Sequence, residues 1–194
     1  MLQKFVARGA VLSVFLSLSP AFAAEEEEAP PPSGLYLQPH VHMLSGWTLH
    51  VEDSFMQQDY QVELRKGGGV GLRLGYDFTP HVGLFASAEL NAEREGPYSG
   101  YGAGLTLRTG MLGPVRLNAR VGARLLDPVT TLVYGTAGAG LEVFLFRPVS
   151  LALEVDGAVP LAEGTRFNGT SQDNVSAEGG PVRGILGITW YIGG

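Results

Sequence analysis

From Val70 to Leu90 the chain reads VGLRLGYDFTPHVGLFASAEL, with apolar residues alternating with polar, charged or small ones. Successive side chains of a β-strand point to opposite faces. Val70, Leu72, Leu74, Tyr76 and Phe78 therefore share one face of a first strand, and Gly71, Arg73, Gly75 and Asp77 share the other. Thr79-Pro80-His81 makes a tight turn, after which Val82, Leu84, Ala86, Ala88 and Leu90 continue the apolar face opposite Gly83, Phe85, Ser87 and Glu89. A hairpin that is oily on one face, charged on the other and aromatic beside the turn is the repeat unit of a barrel that meets lipid on its outside.

The same period predicts eight strands: Leu35 to Trp47, Gly69 to Phe78, Val82 to Glu93, Tyr98 to Thr109, Val115 to Leu126, Leu132 to Phe146, Val149 to Val159 and Val182 to Ile192. Most exceed the five or six residues typical of soluble sheets and approach the length of a tilted strand that crosses a bilayer. Their connections alternate in size. Short ones carry proline: Thr79 to His81, Gly110 to Pro114, and Arg147-Pro148. Longer polar ones are Thr48 to Gly68 and Pro160 to Pro181, with Arg94 to Pro97 and Leu126 to Thr131 as smaller members of that set. Short turns at one end and long loops at the other are the habit of outer-membrane barrels, with an even strand number returning both termini to the periplasm.

Outward rows by this period include Leu35, Leu37, Val41, Met43 and Trp47, then Val115, Leu117, Ala119, Val121, Ala123 and Leu125, and Leu186, Ile188, Trp190 and Ile192. Leu141, Val143 and Leu145 with Leu151, Leu153 and Val155 complete the belt. In a bilayer every backbone polar group must pair within the protein, so such strands are satisfied only by closing on themselves. The expected fold is all-β, an eight-stranded antiparallel up-and-down transmembrane β-barrel. Its inner rows would hold Arg73, Arg108, Arg116, Arg120, Arg124 and Arg183 against Asp77, Glu89, Glu93, Glu142, Glu154 and Asp156. Guanidinium and carboxylate can neutralise one another in bidentate pairs, and eight strands leave an interior just wide enough for such side chains. Inner-row glycines such as Gly71, Gly75, Gly138, Gly140 and Gly187 make room for them.

The chain start sets the compartment. Lys4 and Arg8, the apolar run Ala10 to Leu18 and the small-x-small site Ala21-Phe22-Ala23 read as a secretory signal peptide over 1–23. Residues 24–33 (AEEEEAPPPS) read as an acidic, proline-rich, solvated periplasmic leader, and 34–194 as the barrel. The 194-residue chain has a net charge of −6 and no cysteine, which excludes disulfides and thiolate metal sites and argues against nucleic acid as a partner. No mature segment approaches the roughly 18 consecutive apolar residues of a membrane-spanning helix.

The hairpins GLRLGYDFTPHVGLFASAEL (71–90) and GAGLEVFLFRPVSLALEVDG (138–157) and the closing strand GILGITWYIGG (184–194) resemble the small eight-stranded outer-membrane β-barrel superfamily, of the OmpA transmembrane-domain and OmpX type. The resemblance implies residence in the outer membrane of a Gram-negative envelope among lipid and lipopolysaccharide, insertion by the barrel-insertion machinery, and a monomer. Members commonly end on an aromatic, usually Phe, whereas this chain ends Trp190-Tyr191-Ile192-Gly193-Gly194 and carries no peptidoglycan-binding domain after the barrel.

Some small barrels of this membrane modify lipid A, so the histidines bear on function. His40 and His42 would both point inward without an obvious third ligand, and read as members of a polar network. His50 lies near Glu52, Asp53 and Ser54 without the spacing of a hydrolytic site, and His81 sits in a turn. Tyr36, Trp47, Tyr76, Phe78, Tyr101, Tyr134, Trp190 and Tyr191 supply candidate interfacial aromatics. The expected function is a non-enzymatic integral barrel with a filled lumen and a structural or surface-interaction role, with no cofactor or metal. The alternatives are a narrow channel for ions or small solutes and, third, a lipid A-modifying enzyme.

Overall fold

The computed structural model describes residues 32–53, 58–93, 96–128, 130–168 and 171–192. The signal-peptide reading of 1–23, the leader up to residue 31 and the final two glycines lie outside the described residues. Eight long strands close the wall: β1 (Gly34–Leu44), β4 (Gly67–Asp77), β5 (Val82–Glu93), β6 (Gly96–Arg108), β7 (Val115–Leu126), β8 (Leu132–Phe146), β9 (Val149–Ala162) and β12 (Val182–Ile192). Each pairs antiparallel with its neighbours in the order β1-β12-β9-β8-β7-β6-β5-β4, and β4 returns to β1. An 11-residue strand such as β1, at about 3.3 Å per residue and tilted about 40°, rises roughly 28 Å, which matches the apolar band of an outer-membrane barrel.

The polarity is inside-out relative to a soluble barrel. Met43 (76 % exposed), Val70, Leu74, Leu84, Val121, Val155, Leu186 and Ile188 face outward, whereas the arginines at 73, 108, 116, 120, 124 and 183 are all buried. The same strands closed as a soluble, lipocalin-like barrel would place the apolar rows inside, an arrangement that the exposed leucines and valines rule out. Tyr76 and Phe78, 5.4 Å apart edge to face, sit exposed beside the first short turn, with Tyr101 and Trp190 also on the outer surface. Tyr36, Tyr134 and Tyr191 do not join that girdle, because their strand parity turns them into the lumen, where each is buried.

The long connections are the main departure from expectation. Thr48 to Gly68 and Pro160 to Pro181 are not open loops. They contain β2 (Trp47–Asp53), β3 (Gln58–Leu64), β10 (Gly164–Asn168) and β11 (Ser171–Glu178), joined as a four-stranded sheet in the order β10-β11-β2-β3. β1 and β12 are neighbours in the wall, so the chain leaving β1 and the chain entering β12 emerge side by side. Ser45 N donates to Val182 O at 2.8 Å and Val182 N donates to Ser45 Oγ at 2.9 Å, and beyond this knot β2 pairs with β11 from Thr48↔Glu178 to Glu52↔Asn174. Trp47 therefore belongs to β2 and is buried, in place of the lipid-facing position that an unbroken first strand would give it. Strand β1 stops at Leu44, and at Gly46 any Cβ would press against the Leu64 carbonyl 2.7 Å away.

One seam of the wall is imperfect. β1 pairs without a break with β4, where Pro39 faces Leu72, but the ladder to β12 omits Gln38 and Pro39. The Pro39 carbonyl approaches Gly187 on β12, so the N–H that proline lacks is one that would also face β12. Pro39→Val, on the exposed face of β1, is expected to restore that ladder bond and to raise stability by about 1 kcal/mol, read as a higher urea midpoint for loss of the heat-modifiable folded band on gels.

Candidate functional site

Parity and closure bring eleven of the twelve charged residues predicted for the interior into one column along the lumen. Glu93 ends β5 opposite Gly96, and its side chain lies outside the described residues. The column divides into three tiers.

At the short-turn end, Arg116 and Glu142 are direct register partners on β7 and β8, with Nη2 2.7 Å from Oε2. Tyr191 donates its hydroxyl to the same carboxylate at 2.9 Å, and Arg116 also meets that hydroxyl. Arg108 bonds Asp77, two strands away, and places Nε 3.8 Å from Glu142. Aromatic faces line this tier: the Arg108 guanidinium lies 4.9 Å from the Tyr36 ring, and Arg116 lies 5.1 Å and 5.2 Å from Phe144 and Tyr191. Tyr36 can lie there only because its register partner is Gly75, where a Cβ would collide with the phenol ring. Arg116 Nη1 donates to Pro32 O at 3.2 Å, so Pro32, near the end of the segment read as a leader, is buried and tied to the barrel mouth.

The middle tier centres on Glu154, which receives Arg73 at 3.0 Å, Arg120, and Gln38 Nε2 at 3.0 Å. Arg73 also bonds Gln38 and lies 5.2 Å over the Phe85 ring. Arg120 reaches Glu154 across β8, where Gly138 and Gly140 leave the space: a Cβ at Gly140 would touch the Glu154 side chain at 2.6 Å, and one at Gly138 would touch Asp156 at 2.5 Å. The upper tier spans the lumen, since Arg183 on β12 meets its register partner Asp156 at 2.5 Å and 2.9 Å and also reaches Glu89 on the far wall at 2.5 Å. Arg124 adds Asp156 at 3.2 Å and Glu89 at 3.9 Å.

His40 and His42 both point inward as their spacing predicts. His40 lies 3.7 Å from Glu89, and His42 Nε2 donates to Asn91 Oδ1 at 2.7 Å. No set of three or more metal-ligating side chains gathers among the described residues. His50 is carried on β2 and contacts Glu178 on β11 at 3.1 Å, and Ser54 lies outside the described residues. His81 donates from Nδ1 to Arg108 O at 3.2 Å and so ties one turn to the next strand.

Above the ion pairs the lumen ends in oil. Trp47, Leu49, Val51 and Val175 from the four-stranded sheet pack with Leu44, Tyr98, Leu126, Leu132 and Tyr134 from the rim into one buried cluster. Trp47 and Tyr98 stack edge to face with centroids 6.2 Å apart. The sequence carried the signal for these strands, though not for their joining, because Trp47, Leu49 and Val51 alternate with Thr48, His50 and Glu52, and Asn168-Gly169 is a hairpin dipeptide. Gln38 and Tyr191, which complete the two lower tiers, were likewise accessible by counting parity from His40 and Arg183.

Glu142 is fully buried between two guanidiniums, so removing either partner strands a charge. Arg116→Ala or Glu142→Ala is expected to cost about 3–5 kcal/mol, whereas Arg116→Met combined with Glu142→Leu should recover much of it. Urea titration of the refolded barrel, followed by gel mobility, checks the ordering.

No protein-family model matches the chain, and no curated protein sequence matches it. Solved structures do. The outer membrane protein OprG from Pseudomonas aeruginosa superposes with a TM-score of 0.60 at 9% identity, covering 82% of this chain and 96% of that one. Neisserial surface protein A (NspA) superposes with a TM-score of 0.52 at 14% identity, covering 85% and 100%. At such identities the likeness is one of fold: the chain has the fold of the small eight-stranded outer-membrane β-barrels.

Proposed function

We propose that this protein is a non-catalytic outer-membrane barrel with a sealed lumen, which holds the β10-β11-β2-β3 sheet beyond the membrane as a rigid surface for interaction. The observation that carries the reading is the apolar cap. Leu49, Val51 and Val175 are wholly buried where a pore would need an open vestibule, and the sheet that bears them is held at the rim by the Ser45–Val182 hydrogen bonds and the shared apolar cluster. Below it, side chains joined by ion pairs cross the lumen from wall to wall, as expected of an eight-stranded cylinder.

The outward apolar belt supports residence in a lipid bilayer. The short turns and the described ends of β1 and β12 lie together at one rim, with Leu35 opposite Ile192, which fits both termini on the periplasmic side. Exposed Arg65 and Lys66, at the opposite rim between β3 and β4, suit the anionic headgroups of lipopolysaccharide. Insertion by the barrel-assembly machinery and a monomeric state follow from the same reading.

Planar-bilayer recordings of refolded protein are expected to stay silent, and reproducible single-channel steps would overturn the sealed-lumen reading. In intact cells, a tag placed after Asp53 is expected to be reached by externally added antibody, and one in the Thr79 to His81 turn is expected to stay protected.

A further inference from the structure

The middle and upper tiers are unbalanced. Among the described residues, Arg108 and Arg116 are matched by Asp77 and Glu142 at the short-turn end, but Arg73, Arg120, Arg124 and Arg183 face only Glu89, Glu154 and Asp156. One buried positive charge is left over. Glu93, the other acid of the inner rows, stands four residues beyond Glu89 on β5, roughly 13 Å further along the strand. An isolated charge in a barrel interior is costly unless a counter-charge meets it.

The surplus coincides with a cavity. A space of about 20 Å³ lies in the lumen, lined by Arg73, Arg120, Arg124 and Arg183 together with the side chains of Ser87 and Thr136. Asp156 also reaches it, with both oxygens already engaged by Arg183 and Arg124. Arg183 spends its Nε, Nη1 and Nη2 on carboxylates, but Arg73 Nε, Arg120 Nη2 and Arg124 Nη1 are buried and donate no hydrogen bond. Several unspent guanidinium donors, one surplus charge and room for a single small species converge at one place. Phe85 and Ala123 complete the lining, and Gly102 and Gly138, the register partners of Arg124 and Arg120, leave the room beside the guanidiniums.

We propose that this cavity is a binding site for one small monovalent inorganic anion of the chloride class, held by Arg120 and Arg124 and neutralising the middle of the lumen. A divalent anion such as sulfate would overcompensate the single surplus charge. The site makes no demand on conduction, so it stands whether or not the barrel proves silent in bilayers.

The test uses the full mature protein refolded in detergent and freed of halide by exchange into gluconate. Added chloride is expected to show excess ³⁵Cl line broadening, competed by bromide and not by sulfate, and Arg120→Gln should reduce the broadening to that of protein-free micelles. Should Arg120→Gln fail to refold, Ser87→Ala combined with Thr136→Val keeps every charge, removes the hydroxyls, and is expected to weaken the broadening. Crystals grown with sodium bromide should show an anomalous peak between Arg120 and Thr136. Broadening unaltered by either variant, or a bromide-grown crystal with peaks only on the outer surface, would overturn the site.

Discussion

When β1 pairs with β4 on one side and β12 on the other, the eight-stranded sheet has no edge left, and the backbone of the wall can find its partners within the wall. Two consequences follow. The outer rows are free to be uniformly apolar, because nothing polar in the backbone needs solvent there. The inner rows enclose a cylinder no wider than their own side chains, so whatever stands on them must interlock. Closure also makes the first and last strands neighbours, and thereby sets their connections side by side.

Within that cylinder, charge is organised by distance. Arg116–Glu142 and Arg183–Asp156 are register partners on adjacent strands, so they are fixed as soon as the wall pairs. Arg120–Glu154 bridges over β8, and Arg183–Glu89 and Arg73–Glu154 cross the lumen, and these bonds exist only in the closed cylinder. Burial of a guanidinium is tolerable when its charge and its donors are met, and here aromatic faces supply part of what carboxylates do not: Phe85 for Arg73, Tyr36 for Arg108 and Phe144 for Arg116. Glycines opposite the bulky groups allow this density, most plainly Gly75 beneath the Tyr36 ring.

The loop end follows different physics. Polar pairing gives way to a cluster of aliphatic and aromatic side chains, the conventional hydrophobic core of this molecule, placed where an open barrel would meet water. It serves both parts at once. The four-stranded sheet needs a surface on which to bury Trp47, Leu49, Val51 and Val175, and the same packing covers the rim of the barrel. Covering the rim and burying the apolar face of the sheet are thus one packing event.

The sequence by itself determined the wall. A two-residue period is a property of each strand in isolation, so lipid-facing rows, lumen-facing arginines and carboxylates, and the alternation of short turns with long connections could all be read from it. Tyr36 and Tyr191 stood on those same inner rows, yet aromatic character pointed to the membrane interface while parity pointed inward, and parity prevailed because the wall fixes side-chain direction. Only the tertiary structure decided which carboxylate each arginine meets, since that depends on stagger across the lumen. The same holds for the cap: Trp47 to Asp53 and Ser171 to Glu178 lie more than a hundred residues apart in the chain, and neither segment contains the information that the other will emerge beside it. Closure of β1 onto β12 supplies that information, and with it the sheet that covers the barrel.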